Sequence, residues 1–137
     1  MTNTGFKPLL KNAGFQAFLW TQFLGALNDN IYKIAVSMRA VHVAANSTAS
    51  GFYLSLAGAV FVLPFLLFSG YSGHLADAVG KRKVLVGVKV FEIFAMAAGL
   101  ATFFTTSIEW MLVVLFLMAL HSAVFSPAKY GIVPEML

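Results

Sequence analysis

Apolar residues in this chain gather into four long runs, at about residues 15–41, 51–75, 84–104 and 108–130. Each run reaches the roughly 20 residues that a helix needs to cross a ~30 Å hydrocarbon core. The separators between them are short and differ in kind. Residues 44–50 carry the polar Asn46-Ser47-Thr48, residues 77–83 end in a basic cluster, and Thr105-Thr106-Ser107 is uncharged. Connections this short imply antiparallel neighbours. The pattern predicts an all-α integral membrane fold of four transmembrane helices, preceded by a polar segment at residues 1–14. Pro64 falls inside the second run and is expected to kink it. Ser69-Gly70 and Ser72-Gly73 offer a small-residue surface suited to close helix approach in lipid. Pro127 and Gly131 suggest a bent or broken end to the fourth helix. No internal repeat of 20–50 residues is visible.

Composition agrees with the pattern. The chain is 60% apolar and 10% charged, with a mean hydropathy of +0.85, whereas soluble domains run near 45–50% and 25%. The basic residues choose an orientation. Lys7, Lys11, Lys81, Arg82, Lys83 and Lys129 share one side if the runs alternate, and only Arg39, with His42, falls at the other. The positive-inside rule then places the N-terminus and the Lys81-Arg82-Lys83 connection in the cytoplasm. This clustering accounts for the net charge of +4 without nucleic acid as a partner. Trp110 and Tyr130 suit interfacial positions at opposite ends of the fourth helix. With no cysteine there is no disulfide framework, thiol nucleophile or cysteine metal site. The first run is too long and too polar at its centre for a signal peptide.

The candidate chemistry lies in the polar groups inside the runs. The first run holds Asn28-Asp29-Asn30 and, four residues beyond Asp29, Lys33. A charge at bilayer depth costs roughly 2.5–3.5 kcal/mol on insertion scales. Asp29 and Lys33 share a helix face and can neutralise each other, so that face is expected to look into a bundle or polar cavity. The third run carries Lys89 and Glu92 at i and i+3. Lys89 sits roughly 7–8 Å along the helix from Val84, within reach of the inner surface by snorkelling. Glu92, at roughly 12 Å, is near the core's middle. Two readings stand for this pair: a local ion pair that supports packing, or a wall of one cavity shared with Asp29 and Lys33. His121, near the centre of the fourth run, suits either a hydrogen bond to a neighbouring helix or a proton- or headgroup-binding role. Lys129 and Tyr130 suit contact with lipid phosphate at the inner interface, or a plain helix stop.

Catalytic patterns are missing. There is no phosphate-binding glycine loop, no metal-spaced histidine pair and no nucleophile elbow, and no motif calls for a cofactor. None of His42, His74 and His121 is followed four residues on by aspartate, so no acyltransferase signature of that kind lies in this segment.

Three strings carry a family resemblance. Gly73-His74-Leu75-Ala76-Asp77-Ala78-Val79-Gly80-Lys81-Arg82-Lys83 resembles the loop motif of major facilitator transporters between the second and third helices. Ala78 stands where that motif commonly has arginine, which removes one partner of a gate ion pair. Gln22-Phe23-Leu24-Gly25-Ala26-Leu27-Asn28-Asp29-Asn30 and Phe125-Ser126-Pro127-Ala128-Lys129-Tyr130-Gly131-Ile132 resemble the first and fourth helices of the lysophospholipid transporter branch. The resemblance covers nearly all of the chain from Phe15 onward. It implies that the four helices are the first part of a twelve-helix fold of two six-helix halves built from inverted three-helix repeats. It implies a bacterial inner-membrane location and movement of lysophospholipid, of the lysophosphatidylethanolamine type, from outer to inner leaflet by alternating access. It also implies, in some relatives, a fused acyltransferase. Membrane lipids and the remaining C-terminal helices are the other implied partners, and a chain of this length is expected to be a fragment unable to transport alone. Asp29, Asn30, Lys33, Lys89, Glu92 and His121 become candidate substrate or transport residues. Gly73, Asp77, Gly80, Lys81 and Arg82 become a candidate gating loop, and Lys129 and Tyr130 candidate lipid contacts. Alternatives are a facilitator for another solute or drug, a small dimeric four-helix exporter, and a subunit of a membrane complex.

Overall fold

A computed structural model describes residues 10–44, 46–105 and 107–136. Lys7 and Thr106, and the side chain of Ile132, lie outside what is described. The chain forms four helices: α1 (Ala13–Val43), α2 (Ser47–Val79), α3 (Lys81–Thr102) and α4 (Ile108–Met136). The described residues contain no strand.

Local chemistry sets the ends. Asn12 caps α1 by accepting from the Gly14 and Phe15 amides at 2.9 and 3.4 Å. Asn46 caps α2 by accepting from Ala49 N at 2.8 Å, satisfying donors that the first turn leaves orphaned. That cap draws Ser47 and Thr48 into the helix. Between α2 and α3 the connection shrinks to one residue, Gly80. Its φ of 92° is a conformation that side chains with a Cβ rarely adopt. Its carbonyl already accepts from the Lys83 and Val84 amides, at 3.0 and 3.2 Å. The motif expected to form a gating loop is therefore mostly helical: Gly73 and Asp77 belong to α2, and Lys81 and Arg82 open α3. Proline does not end either helix: α2 runs unbroken through Pro64, which is fully buried, and α4 continues past Pro127 and Gly131 to Met136, so the broken end that was one expectation there does not occur.

Packing centres on α4, which touches all three other helices, whereas α1 and α3 meet through side chains and not by close approach along their backbones. One apolar cluster joins Tyr32, Val36 and Ala40 of α1, Ala57 of α2 and Ala95 of α3 to Met111, Leu115 and Met118 of α4. A second joins Val84 and Val88 to Phe125 and Ala128. Alanines at 40, 57, 95, 119, 123 and 128 are buried, and small residues at helix contacts let backbones come close. The Ser69–Gly73 surface serves packing through one member. Ser72, fully buried, donates to Ser69 O at 2.9 Å and to Ala123 O of α4 at 3.3 Å.

The outside is apolar. Leu66, Phe94, Leu100 and Phe104 are among many large hydrophobics left exposed, Phe104 by 86%. A patch of this extent suits lipid or further protein, not water. Three helices, α2, α3 and α4 over residues 108–131, are long and apolar enough to cross a membrane. The α1 helix has the length, about 46 Å for its 31 residues, but its polar centre dilutes its hydropathy.

Candidate functional site

Between the two apolar clusters lies a polar layer contributed by three helices. On α1 the buried positions are Asp29, Tyr32, Val36 and Ala40, a narrow stripe at helical spacing. That stripe places Asp29 on the packed face and its neighbours off it. Glu92 is buried on α3 and His121 on α4. The three residues are 8%, 5% and 6% exposed, and one ligating atom from each lies within 4.8 Å of the others.

Each group has a definite environment. Lys89 Nζ donates to Glu92 Oε2 at 2.5 Å, so the α3 pair expected from the sequence forms. Lys89 also sits 4.8 Å from the centre of the Phe125 ring. His121 Nε2 is 3.8 Å from the same Glu92 oxygen. Ser122 Oγ donates to Asp29 Oδ2 at 2.5 Å. The other Asp29 oxygen, Oδ1, is buried with no hydrogen-bond partner, as are His121 Nδ1, Gln22 Nε2 and Asn28 Nδ2. Unmet buried polar atoms cost about 1–3 kcal/mol each, and three of the four residues, Gln22, Asp29 and His121, line one cavity. That cavity, about 190 Å³, is lined by Asp29, Lys89, Glu92, His121, Ser122 and Lys129 among others. At about 30 Å³ per water it admits several waters or a small charged group.

Gly25 closes the wall between α1 and α3. A Cβ there would stand 3.0 Å from Lys89 Nζ and 3.1 Å from Glu92 Oε1. The pair thus lies against bare α1 backbone, and Gly25, which the sequence presented only as part of a motif string, is a structural member of the site. Ser122 was also absent from the expected set. The sequence signal for it was a polar residue next to His121 inside an apolar run.

Two expected members go elsewhere. Lys33 does not pair with Asp29; its Nζ lies 4.5 Å over the Phe61 ring of α2. Asn30 is exposed and donates to Ala26 O of its own helix at 2.7 Å. One residue on from Asp29 is about 100° around the helix, which removes Asn30 from the packed face. At the other end of α3, Lys81 Nζ donates to Gly131 O of α4 at 3.1 Å. Gly131 has no Cβ to obstruct the Lys81 stem, which would meet one at 2.9 Å. Gly73, Asp77 and Arg82 stand apart from the cavity, with Asp77 exposed. Tyr130 is exposed, and Lys129 sits 5.3 Å from its ring.

A second hollow adjoins the first. An apolar groove of about 290 Å³ runs between α1 and α3, lined by Phe18, Leu85, Val90 and Ile93 and by Lys89 and Phe125. Lys89 and Phe125 also line the polar cavity, so the two spaces share a wall.

The chain matches, over residues 3–137, a major facilitator family model described as transmembrane secretion effector. The chain belongs to this family. Among curated relatives of this family member is the lysophospholipid transporter LplT of Escherichia coli strain SE11, 28% identical over 138 residues, covering 98% of this chain and 30% of that protein. The LplT of Escherichia fergusonii is 29% identical over 135 residues, with 98% and 30% coverage. That of Klebsiella pneumoniae is 26% identical over 134 residues, with 94% and 30% coverage. The chain thus spans about 30% of the length of these relatives. No solved structure matches it. Family membership and three helices of spanning length support an integral membrane protein of this family.

Proposed function

We propose that this chain is the opening part of a twelve-helix lysophospholipid transporter, with all four helices spanning the bacterial inner membrane and the N-terminus in the cytoplasm. In this reading α1 crosses despite its polar centre, because Asp29 is shielded by α3 and α4 and never meets lipid. The observation that carries the proposal is the shared wall of Lys89 and Phe125 between a charged cavity and an apolar groove. A lysophospholipid has that division: a charged headgroup and a single acyl chain. The cavity holds two carboxylates, Asp29 and Glu92, and two ammonium groups, Lys89 and Lys129, formally balanced and suited to a zwitterion. The unpartnered Asp29 Oδ1 would accept from a headgroup ammonium, and Lys129 would meet its phosphate. The names of the LplT relatives favour the same substrate class. Transport proceeds from outer to inner leaflet by rocking of the two halves about this mid-membrane site.

The test is uptake of labelled lysophosphatidylethanolamine by cells expressing the longest reading frame that contains this chain. Asp29→Asn, at equal membrane abundance, is expected to cut uptake at least tenfold, the equivalent of about 1.4 kcal/mol. Unchanged uptake removes Asp29 from the mechanism. A second reading, export of another solute, is favoured by the description of the family as a secretion effector. Competition by hydrophilic solutes, with none by lysophospholipid, would establish that reading instead.

A further inference from the structure

The geometry points to a zinc-type divalent cation site formed by Asp29, Glu92 and His121. The three come from α1, α3 and α4, all more than nine-tenths buried, and their ligating atoms converge within 4.8 Å. Asp29 Oδ1 has no hydrogen-bond partner and is an open acceptor on a residue that lines a cavity of about 190 Å³. Zinc binds imidazole nitrogen and carboxylate oxygen at about 2.0–2.2 Å, which places neighbouring ligands about 3.4 Å apart in a tetrahedron. The 3.8 Å between His121 Nε2 and Glu92 Oε2 is already near that spacing. Modest side-chain rotation brings Asp29 in. One imidazole with two carboxylates favours zinc, cobalt or nickel over magnesium or calcium. Three protein ligands leave the fourth position open to water or to an anionic group.

Lys89 stands in for the cation. Its ammonium neutralises Glu92 at 2.5 Å, but with two carboxylates in the cluster the three groups keep one formal negative charge. A divalent ion beside Asp29 and Glu92 brings the carboxylate pair to neutrality without Lys89. Lys89 can leave, because its side chain is 27% exposed and already borders the apolar groove. The ion would bridge three helices and compete with a headgroup ammonium for Asp29, so its site and the lipid-binding state of the cavity exclude each other.

The full chain in lipid nanodiscs, with no lysophospholipid present, is titrated with zinc chloride by calorimetry. Cobalt(II) is titrated in parallel and followed by its visible ligand-field absorption. One equivalent is expected to bind. His121→Ala and Asp29→Asn are each expected to weaken binding at least tenfold, while His42→Ala and His74→Ala leave it unchanged. Lys89→Met is expected to tighten binding about tenfold by removing a competing cation, a gain that misfolding does not mimic. Binding that survives His121→Ala, that follows His74, or that Lys89→Met fails to tighten overturns the site. So does the absence of binding. Because no lipid substrate is used, such a failure leaves the proposed transport function untouched.

Discussion

Gly25→Ala sets two effects of similar size against each other, and the structure says which wins. A mid-helix Gly→Ala change favours the helix by up to about 1 kcal/mol. At Gly25 the new methyl would meet Lys89 Nζ at 3.0 Å and Glu92 Oε1 at 3.1 Å, several tenths of an ångström inside ordinary contact. Both atoms are side-chain ends, so they can move, but not independently. The ammonium is held 2.5 Å from the other carboxylate oxygen, Glu92 Oε2, and Glu92 is 6% exposed at the side chain. Lys89 can retreat into the groove only by leaving a buried carboxylate without its cation. Overpacking of this kind costs about 1–3 kcal/mol. The expected net effect is destabilisation of about 0–2 kcal/mol. The control is Gly87→Ala on α3, where a Cβ meets nothing within 4 Å and only the helix term applies, giving up to about 1 kcal/mol of stabilisation. Unfolding of purified protein in mixed micelles against increasing denaturing detergent, followed by circular dichroism, compares the two variants under one condition. If Gly25→Ala gains as much stability as Gly87→Ala, the Lys89–Glu92 pair does not lie against α1 and the wall described here is wrong.

Two further predictions test the frame around the site. Gly80→Ala forces a Cβ into a φ of 92° and is expected to cost about 1–2 kcal/mol in the same unfolding assay; a neutral result would mean that α2 and α3 do not join through that conformation. Tyr32 OH bonds Thr102 Oγ1 at 3.0 Å and Met111 O at 3.3 Å, so Tyr32→Phe is expected to cost about 0.6 kcal/mol, the average for such bonds in a membrane protein, whereas Gly99→Val should cost more, because the Tyr32 ring lies 3.0 Å from a Cβ at Gly99. Equal unfolding midpoints for these two variants would contradict that packing.

The chain's own pattern determined a great deal. Run length and hydropathy specified helices within about four residues of α1, α2 and α3 and the start of α4, which runs six residues past its expected end, because a long apolar segment satisfies its own backbone in lipid only as a helix. The i, i+3 spacing of Lys89 and Glu92 specified their pairing, since the helix alone brings them together. The same rule failed for Asp29 and Lys33. Their spacing permitted a pair, but Phe61 and Ser122, from two other helices, offered each a different partner. Helix ends were blurred where capping decided them: Asn46 recruited Ser47 and Thr48 into α2, and a single positive-φ glycine let α3 begin at Lys81. A cavity shared by Asp29, Lys89 and Glu92 was one of two readings the sequence left open; that His121 and Ser122 join it while Lys33 does not was beyond the sequence. That membership depends on the rotation and crossing of three helices, set by which small residues face one another along α4. Sequence periodicity reports which face of a helix is apolar; only tertiary packing decides which faces meet, and so which buried charges share a cavity.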